Sequence, residues 1–479
     1  MNTLIQVEAE RLELQTDCDA AKTQLERNRL GQFATPALLA SDILDHARRL
    51  LPADMPVCFL DPGIGTGSFY AALLRAFPAQ DIVAATGFEI DPHYGRPARA
   101  LWQGYPLDIR LDDFTRALPS LPSEQYNLIV CNPPYVRHHH MEPAEKVRLQ
   151  DATAVACGVR IGGLAGLYCH FMELAHAWLA EDGIAAWLVP SEFMDVNYGG
   201  LLKKYLLNQV ELLRIHRFDP NELQFADALV SSAVVWFRKR RPSVGHAVEF
   251  TYGGTHLCPM HTRFVPAAAL HSEAKWTRFP LQDVRQANNG LRLDDFFKIQ
   301  RGLATGDNAF FIMSRDQIEA RNLPQELFKP ILPSPRYVPM DEIEANSDGT
   351  PKLERPLFML DCRLPEDDIK TRYPYLWAYL ETGKPAVSER YLCNSRSPWY
   401  SQENRPPAPI VCTYMGRDSK RGRPIRFILN RSQATAANVY LMLYPKPILA
   451  HAFERDPEIA RKVWAYLNSI DMPSLLGEG

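Results

Sequence analysis

Residues 57–68 read Val57-Cys-Phe-Leu-Asp-Pro-Gly-Ile-Gly-Thr-Gly-Ser68. A short apolar run, Val57–Asp61, passes into a loop with glycine at every second position, Gly63, Gly65 and Gly67. Such a loop lets the backbone turn tightly and approach a ligand closely before the next helix begins at Ser68. Further apolar runs follow at Ile82–Ile90, Leu107–Leu111, Tyr126–Cys131, Gly183–Pro190, Val210–Phe218 and Leu229–Phe237, separated by helical patterns such as Ser68–Phe77 and Tyr168–Ala180. Strands alternating with helices predict an α/β fold around a mainly parallel sheet covered on both faces. The last two runs leave no room for a helix between them and predict an antiparallel hairpin at one sheet edge.

At 46% hydrophobic, 10% aromatic and 23% charged residues the chain has the composition of an ordinary globular protein. Its 479 residues predict two or three domains at ~150 residues each. No apolar run approaches the ~20 residues of a membrane helix, and residues 1–28 read as an amphipathic helix rather than a signal peptide. Nine scattered cysteines without a Cys-x-x-Cys pair predict free thiols and a cytoplasmic setting. Beyond Arg241-Pro242 proline becomes frequent and periodicity fades, placing a domain boundary near residue 245, between units 1–245 and 246–479. Residues 1–250 carry 23 Lys+Arg against 30 Asp+Glu, a net −7; residues 251–479 carry 30 against 26, a net +4. The basic residues concentrate between Tyr414 and Arg431, where Arg417, Lys420, Arg421, Arg423, Arg426 and Arg431 face the single acid Asp418. The asymmetry points to a nucleic-acid partner for the second half; a solvated loop is the competing explanation.

Acids end the next two runs after the glycine loop. Glu89 can take both hydroxyls of a ribose. In Asp112-Asp113-Phe114 one aspartate, Asp113 by its place before the ring, can accept from an adenine amino group beside Phe114. Each acid alone reads equally as a helix cap, but successive strand ends carrying all of them indicate an adenosine-bearing cofactor. No lysine follows the glycines as in a nucleotide triphosphate loop, and the spacing is not Gly-x-Gly-x-x-Gly. S-adenosylmethionine, with adenine and ribose but no phosphate, is the cofactor expected.

Directly after Tyr126–Cys131 stands Asn132-Pro133-Pro134-Tyr135. An amide oxygen and a proline carbonyl can both accept from one NH2 group, and the aromatic ring can stack on the plane that carries it. These four residues are the catalytic candidates, for methyl transfer onto an exocyclic amine. Pro134 stiffens the loop. His138-His139-His140 follows, but three adjacent histidines cannot all face one ion and no acid or cysteine cluster accompanies them, so no metal site is expected.

In this order of motifs the chain resembles the gamma-class type II restriction-modification DNA adenine methyltransferases of the BsuBI/PstI kind. Arg29–Pro36 looks like that class's N-terminal cofactor motif, and the resemblance implies that Phe33, Thr35 and Pro36 line the cofactor pocket and that Asp61 faces its methionine end. It implies a seven-stranded Rossmann-like catalytic domain over 1–245 and a mixed α+β target-recognition domain over 246–479. Phe225 resembles the second aromatic against a flipped base, although a Phe-Ala pair stands where Phe-Pro is common. Phe297–Asn308 resembles an element that opens such recognition domains; physically it is a basic strand and a glycine-rich turn, and Arg301 joins the basic cluster as a DNA contact, with Arg426 and Asn438 as polar readers. The expected substrate is N6 of adenine in double-stranded DNA, with a cognate restriction endonuclease acting separately where one exists. The same tetrad occurs in protein-glutamine and ribosomal-RNA guanine amino methyltransferases, and a non-catalytic DNA-specificity subunit is a third reading. The long basic second half argues against the first two and the intact tetrad against the third. Only about 30 residues precede the first cofactor motif, leaving no expected place for an N-terminal nuclease.

Overall fold

The computed structural model describes residues 2–119, 124–219, 231–281, 293–413 and 425–469. The chain divides into compact units of residues 1–287 and 288–479.

The first unit opens with α1 (Asn2–Ala20), α2 (Gln24–Leu30) and α3 (Ala37–Leu50). The sheet follows: β1 (Val57–Asp61), β2 (Ile82–Phe88), β3 (Asp108–Arg110), β4 (Tyr126–Cys131), β5 (Leu179–Pro190), β6 (Glu211–Arg217), β7 (Ser232–Arg238), β8 (Ala247–Gly254) and β9 (Pro259–Pro266). Their order is β3-β2-β1-β4-β5-β7-β6-β8-β9. Helices α4 (Ser68–Ala76), α5 (Pro92–Leu101), α6 (Pro143–Cys157), α7 (Leu167–Leu174) and α8 (Gly199–Asn208) lie between the strands. β1 pairs in parallel with β2 and β4, and β4 with β5. Of these, β1, β4 and the second half of β5 are buried on both faces. Leu128 and Val130 enter one apolar cluster with Phe59 and Leu188, whereas Ile129 and Cys131 enter the other with Leu60 and Val189. Two buried faces require continuous apolar runs, which is why these strands were legible.

The α/β class and the seven expected strands are present, with three differences. β7 lies between β5 and β6, antiparallel to both, so the expected hairpin is internal. β8 pairs in parallel with β6, and β9 closes the sheet beyond it. These two strands carry the first unit past residue 245. The boundary moves because sheet hydrogen bonding, not composition, decides membership. The helix expected to run to Ala180 stops at Leu174, and β5 starts at Leu179. There the Trp178 carbonyl accepts from Tyr126 N (2.8 Å), drawing the chain into the sheet.

Helix α7 buries Glu173 completely among apolar neighbours. Among the described residues its Oε1 has no partner, and Oε2 has only the Cys157 thiol at 3.8 Å. Burial pushes this carboxyl up to about 9. A carboxyl raised in the folded state contributes stability below its unfolded value, here 4.5, and loses it as pH climbs towards the folded value. Glu173→Met should therefore raise Tm, by several degrees more at pH 8 than at pH 5; thermal melts across that range check it.

The described residues of the second unit form two sheets. Phe297–Arg301, Tyr440–Pro445, Ile410–Thr413, Phe427–Asn430 and Glu342–Ile343 make one of five strands. Ile312–Ser314, Leu357–Leu360, Phe328–Leu332 and Thr435–Ala436 make one of four. With helices such as Pro374–Glu381 and Pro457–Ser469 this is the mixed α+β unit expected. Among the described residues no helix is long and apolar enough to cross a membrane.

Candidate active site

β4 delivers Asn132 to the carboxyl end of the sheet. The Asn132 amide nitrogen donates to the Phe33 carbonyl (2.9 Å) and to Thr35 Oγ1 (3.1 Å). A flipped amide would set oxygen against the Phe33 carbonyl, so the network assigns the orientation. The amide oxygen is buried and has no hydrogen-bond partner among the described residues. A buried acceptor left unpaired costs roughly 1–3 kcal/mol. The site thus presents an acceptor for which the described residues supply no donor.

The loop carrying Phe33 and Thr35 is locked onto the tetrad. Tyr135 N donates to the Gly31 carbonyl (3.3 Å). Gly31 ends α2 at φ +67°, and a Cβ there would lie 2.3 Å from Tyr135 N. The Tyr135 ring sits 5.6 Å from that of Phe33, centroid to centroid, and its hydroxyl donates to the Leu188 carbonyl (3.1 Å).

A cavity of about 300 Å3 opens beside Asn132, lined by Gly63, Gly65, Glu89, Asp113 and Phe114 among others. A smaller polar pocket of about 50 Å3 adjoins it, lined by Thr35, Asp61, Thr66 and Ser68. Phe33 and Asn132 line both. Gly65 N donates to Glu89 Oε2 (3.1 Å) and Asp91 N to Glu89 Oε1 (2.8 Å). Gly63 N donates to Asp61 Oδ1 (3.0 Å). Burial pushes the Asp61 and Glu89 carboxyls each up to about 7, Asp61 further raised by Glu89 and Glu89 by Asp91.

The predicted cofactor residues do not all face this space. Gly65, at φ +54°, would project a Cβ into open room, as a ligand-facing glycine does. At Gly67, φ +96°, a Cβ would lie 2.4 Å from Trp102 Nε1. The Trp102 indole donates to the Thr66 carbonyl (2.9 Å), so Gly67 serves the turn and its packing rather than the cavity. Pro36 is exposed at the start of α3 and lines neither space, because the chain has already turned away into the helix. Asp113 lines the cavity but also caps the following turn: its Oδ1 accepts from Thr115 N (2.8 Å) and Thr115 Oγ1 (2.7 Å). Phe114 is buried against Phe88 and Phe171. Sequence reading missed Gln15 and Asp19 on α1, and Gln32, Tyr94, Met141 and Glu145, which also line the cavity.

The Eco57I restriction-modification methylase family matches residues 105–224, and the C-terminal domain of type II methyltransferase M.Eco57I matches residues 274–472. These two segments thus carry the domains of Eco57I-type restriction-modification methylases, one after the other in the chain. Type II methyltransferase M.XamI of Xanthomonas campestris pv. amaranthicola is 28% identical over 429 residues, 88% of this chain and 77% of that one. Type II methyltransferase M.AccI of Acinetobacter calcoaceticus is 24% identical over 432 residues, 86% of this chain and 75% of that one. The structure of the type IIL restriction-modification enzyme MmeI in complex with DNA shares the fold, with a TM-score of 0.56 and 14% identity over 90% of this chain and 64% of that one. The methyl donor that these methyltransferase matches imply is S-adenosylmethionine. The cavity fits it: the buried acids, the open Gly65 and the Phe114 floor suit a ribose, a close backbone approach and an adenine ring.

In the methylase's second unit, Arg426 departs from expectation. Its guanidinium donates to Asp341 Oδ1 (2.7 Å) and to the Val338 and Met340 carbonyls (3.0 and 2.9 Å). It therefore ties the strand Phe427–Asn430 to its neighbour and is spent on the fold rather than on reading bases. Arg431 pairs with Glu342 at 2.8 Å and Glu458 at 3.7 Å, and so is neutralised locally. Arg301 is exposed, with its Nε donating to the Asn438 carbonyl (3.1 Å). Arg417, Lys420, Arg421, Arg423 and Phe225 lie outside the described residues. His138–His140 form one short turn, and among the described residues no group of histidine, cysteine or acid side chains is arranged to hold a metal.

Proposed function

We propose that this methylase transfers the methyl group of S-adenosylmethionine to the exocyclic N6 of an adenine flipped out of double-stranded DNA, as the protective enzyme of a type II restriction-modification system. The observation that carries this reading is the unpaired, buried Asn132 amide oxygen beside the cavity. When bound, S-adenosylmethionine supplies an electrophilic methyl on a sulfonium. Asn132 Oδ1 and the Pro133 carbonyl accept the two N6 protons. They draw the nitrogen towards tetrahedral geometry and free its lone pair from the ring. Transfer to the nitrogen so held would exchange the donor's C–S bond for the new N–C bond, and the surplus proton would leave to solvent afterwards, so no strong base is needed. Positioning and preorganised acceptors provide the rate. Tyr135 stacks on the extruded base in this reading, a contact worth ~1–3 kcal/mol. Arg301 and the basic run from Arg417 to Arg423 supply phosphate contact in this reading.

Methylome sequencing of DNA from cells expressing the protein tests the proposal. N6-methyladenine confined to one motif is the expected result. Unmodified DNA, with methylated RNA or protein instead, would refute it.

The two raised carboxyls make a second expectation. S-adenosylmethionine is a net cation, so it favours ionised Asp61 and Glu89. Both carboxyls sit near 7 in the free protein. Binding therefore expels protons below that pH, and affinity should weaken as pH falls from 7 towards 5.5, by up to about tenfold per unit for each linked group. Calorimetry in buffers of different ionisation heat reads both the affinity and the released protons; a flat profile would remove the acids from the site.

A further inference from the structure

Helix α1 turns a polar stripe towards the protein. Its inward positions include Glu8 and Arg11, both buried, with Gln15 and Asp19 on the same side one and two turns on. A helix held by packing puts leucines there, and burying polar groups instead costs free energy unless each is bonded. Here each is bonded, and the bonds lead into the cofactor cavity. Glu8 receives Arg11 through two contacts of 2.8 Å. Arg11 Nη1 donates to Thr66 Oγ1 in the glycine loop (3.2 Å), and Thr66 Oγ1 donates to Gln15 Oε1 (2.7 Å). Gln15 Nε2 donates to Asp19 Oδ1 (3.0 Å), which also accepts the Tyr94 hydroxyl at the start of α5 (2.9 Å). Asp19 Oδ2 lies 3.8 Å from Arg27.

This chain runs along the cavity wall, for Gln15, Asp19 and Tyr94 all line the large cavity. Gln15 alone among them also lines the small polar pocket with Asp61, Thr35 and Ser68. It stands where the two spaces adjoin. The whole helix precedes both matched family segments, which begin at residues 105 and 274.

We infer that α1 is a wall of the methyl-donor site, with Gln15 and Asp19 as two further cofactor-binding residues that reach the ribose and the aminocarboxylate portion of the ligand. The inference rests on the reading that this cavity takes S-adenosylmethionine. The polar stripe is then explained: apolar residues there would pack against Thr66 but leave the ligand's hydroxyls and ammonium without partners.

Calorimetric binding of S-adenosylhomocysteine to the full chain separates the possibilities, using wild type, Gln15→Ala, Asp19→Asn and the exposed control Glu10→Ala. Asp19→Asn keeps an oxygen for Tyr94, so it tests the carboxylate without dismantling the helix contact. Gln15→Ala and Asp19→Asn should each weaken binding by about five- to tenfold, one or two hydrogen bonds' worth, with Glu10→Ala unchanged. KM for the methyl donor should rise in proportion while kcat at saturation stays within about twofold of wild type. If wild type does not bind the probe, the cofactor reading of the cavity fails. If wild type binds and both variants bind equally well, or lose affinity only in step with a fall in ligand-free Tm, α1 is a packing element and this inference fails.

Discussion

Asn132→Ala should leave a folded protein that binds S-adenosylhomocysteine within about threefold of wild type yet transfers methyl groups about 100- to 1000-fold more slowly, the usual loss for one preorganised electrostatic partner of a reacting centre. The expectation comes from how the amide is spent. Its nitrogen serves the Phe33 carbonyl and Thr35 Oγ1, and its oxygen has no partner among the described residues. Truncation removes two structural bonds, worth about 1 kcal/mol each, and so lowers Tm modestly. It also removes the acceptor that would hold an N6 proton, and that loss falls on the chemical step. Single-turnover methylation of duplex DNA, with binding measured separately, distinguishes the two. A variant that keeps transfer within tenfold of wild type would end the assignment of Asn132 as acceptor.

Gly31→Ala should be nearly as damaging, by another route. The residue adopts φ +67°, and the added Cβ would meet Tyr135 N at 2.3 Å and the Pro134 carbonyl carbon at 2.9 Å. Both obstacles are backbone, so no side-chain movement relieves them. The left-handed conformation alone costs a non-glycine residue about 1 kcal/mol or more. The loop must lift from the tetrad, taking with it the Phe33 carbonyl and Thr35 Oγ1 that orient Asn132. A displacement on the order of 1 Å at a reacting group costs about 100-fold in rate. Because Gly31, Phe33 and Ala34 also line the cavity, cofactor affinity should fall together with kcat. That joint loss separates this variant from Asn132→Ala, and a Gly31→Ala enzyme with normal KM and kcat would show the packing against Tyr135 to be dispensable.

The parts of the fold that were legible are those in which local chemistry and tertiary environment agree. β1, β4 and the centre of β5 are buried on both faces, and their apolar runs announce it. β9 was illegible because only one of its residues is buried and prolines bound it at both ends, so it reads as loop until β8 pairs with it. The acids divide similarly. Glu89 lies at a strand end, where the sequence placed it, and lines the cavity with its oxygens accepting from the Gly65 and Asp91 N–H groups. Asp113 performs the cap function that a short-range reading of the same residues also allowed. Gly67 and Pro36 belong to motifs by position, yet neighbouring packing turns them from the cavity.

The linear order of residues thus settled the strand-loop-helix unit at 57–76, the acids at strand ends and the tetrad after β4, because these depend on periodicity and backbone conformation over a few residues. Folding settled which oxygen of the site lacks a partner, which basic residues are spent on structure and which helix walls the cavity. Those depend on groups far apart in the chain: Asn132 on Phe33 and Thr35, 99 and 97 positions away, Arg426 on Asp341, 85 away, and Thr66 on Gln15, 51 away. A side chain's availability is defined by the partners that reach it, and those partners are assembled only when the sheet and its helices pack.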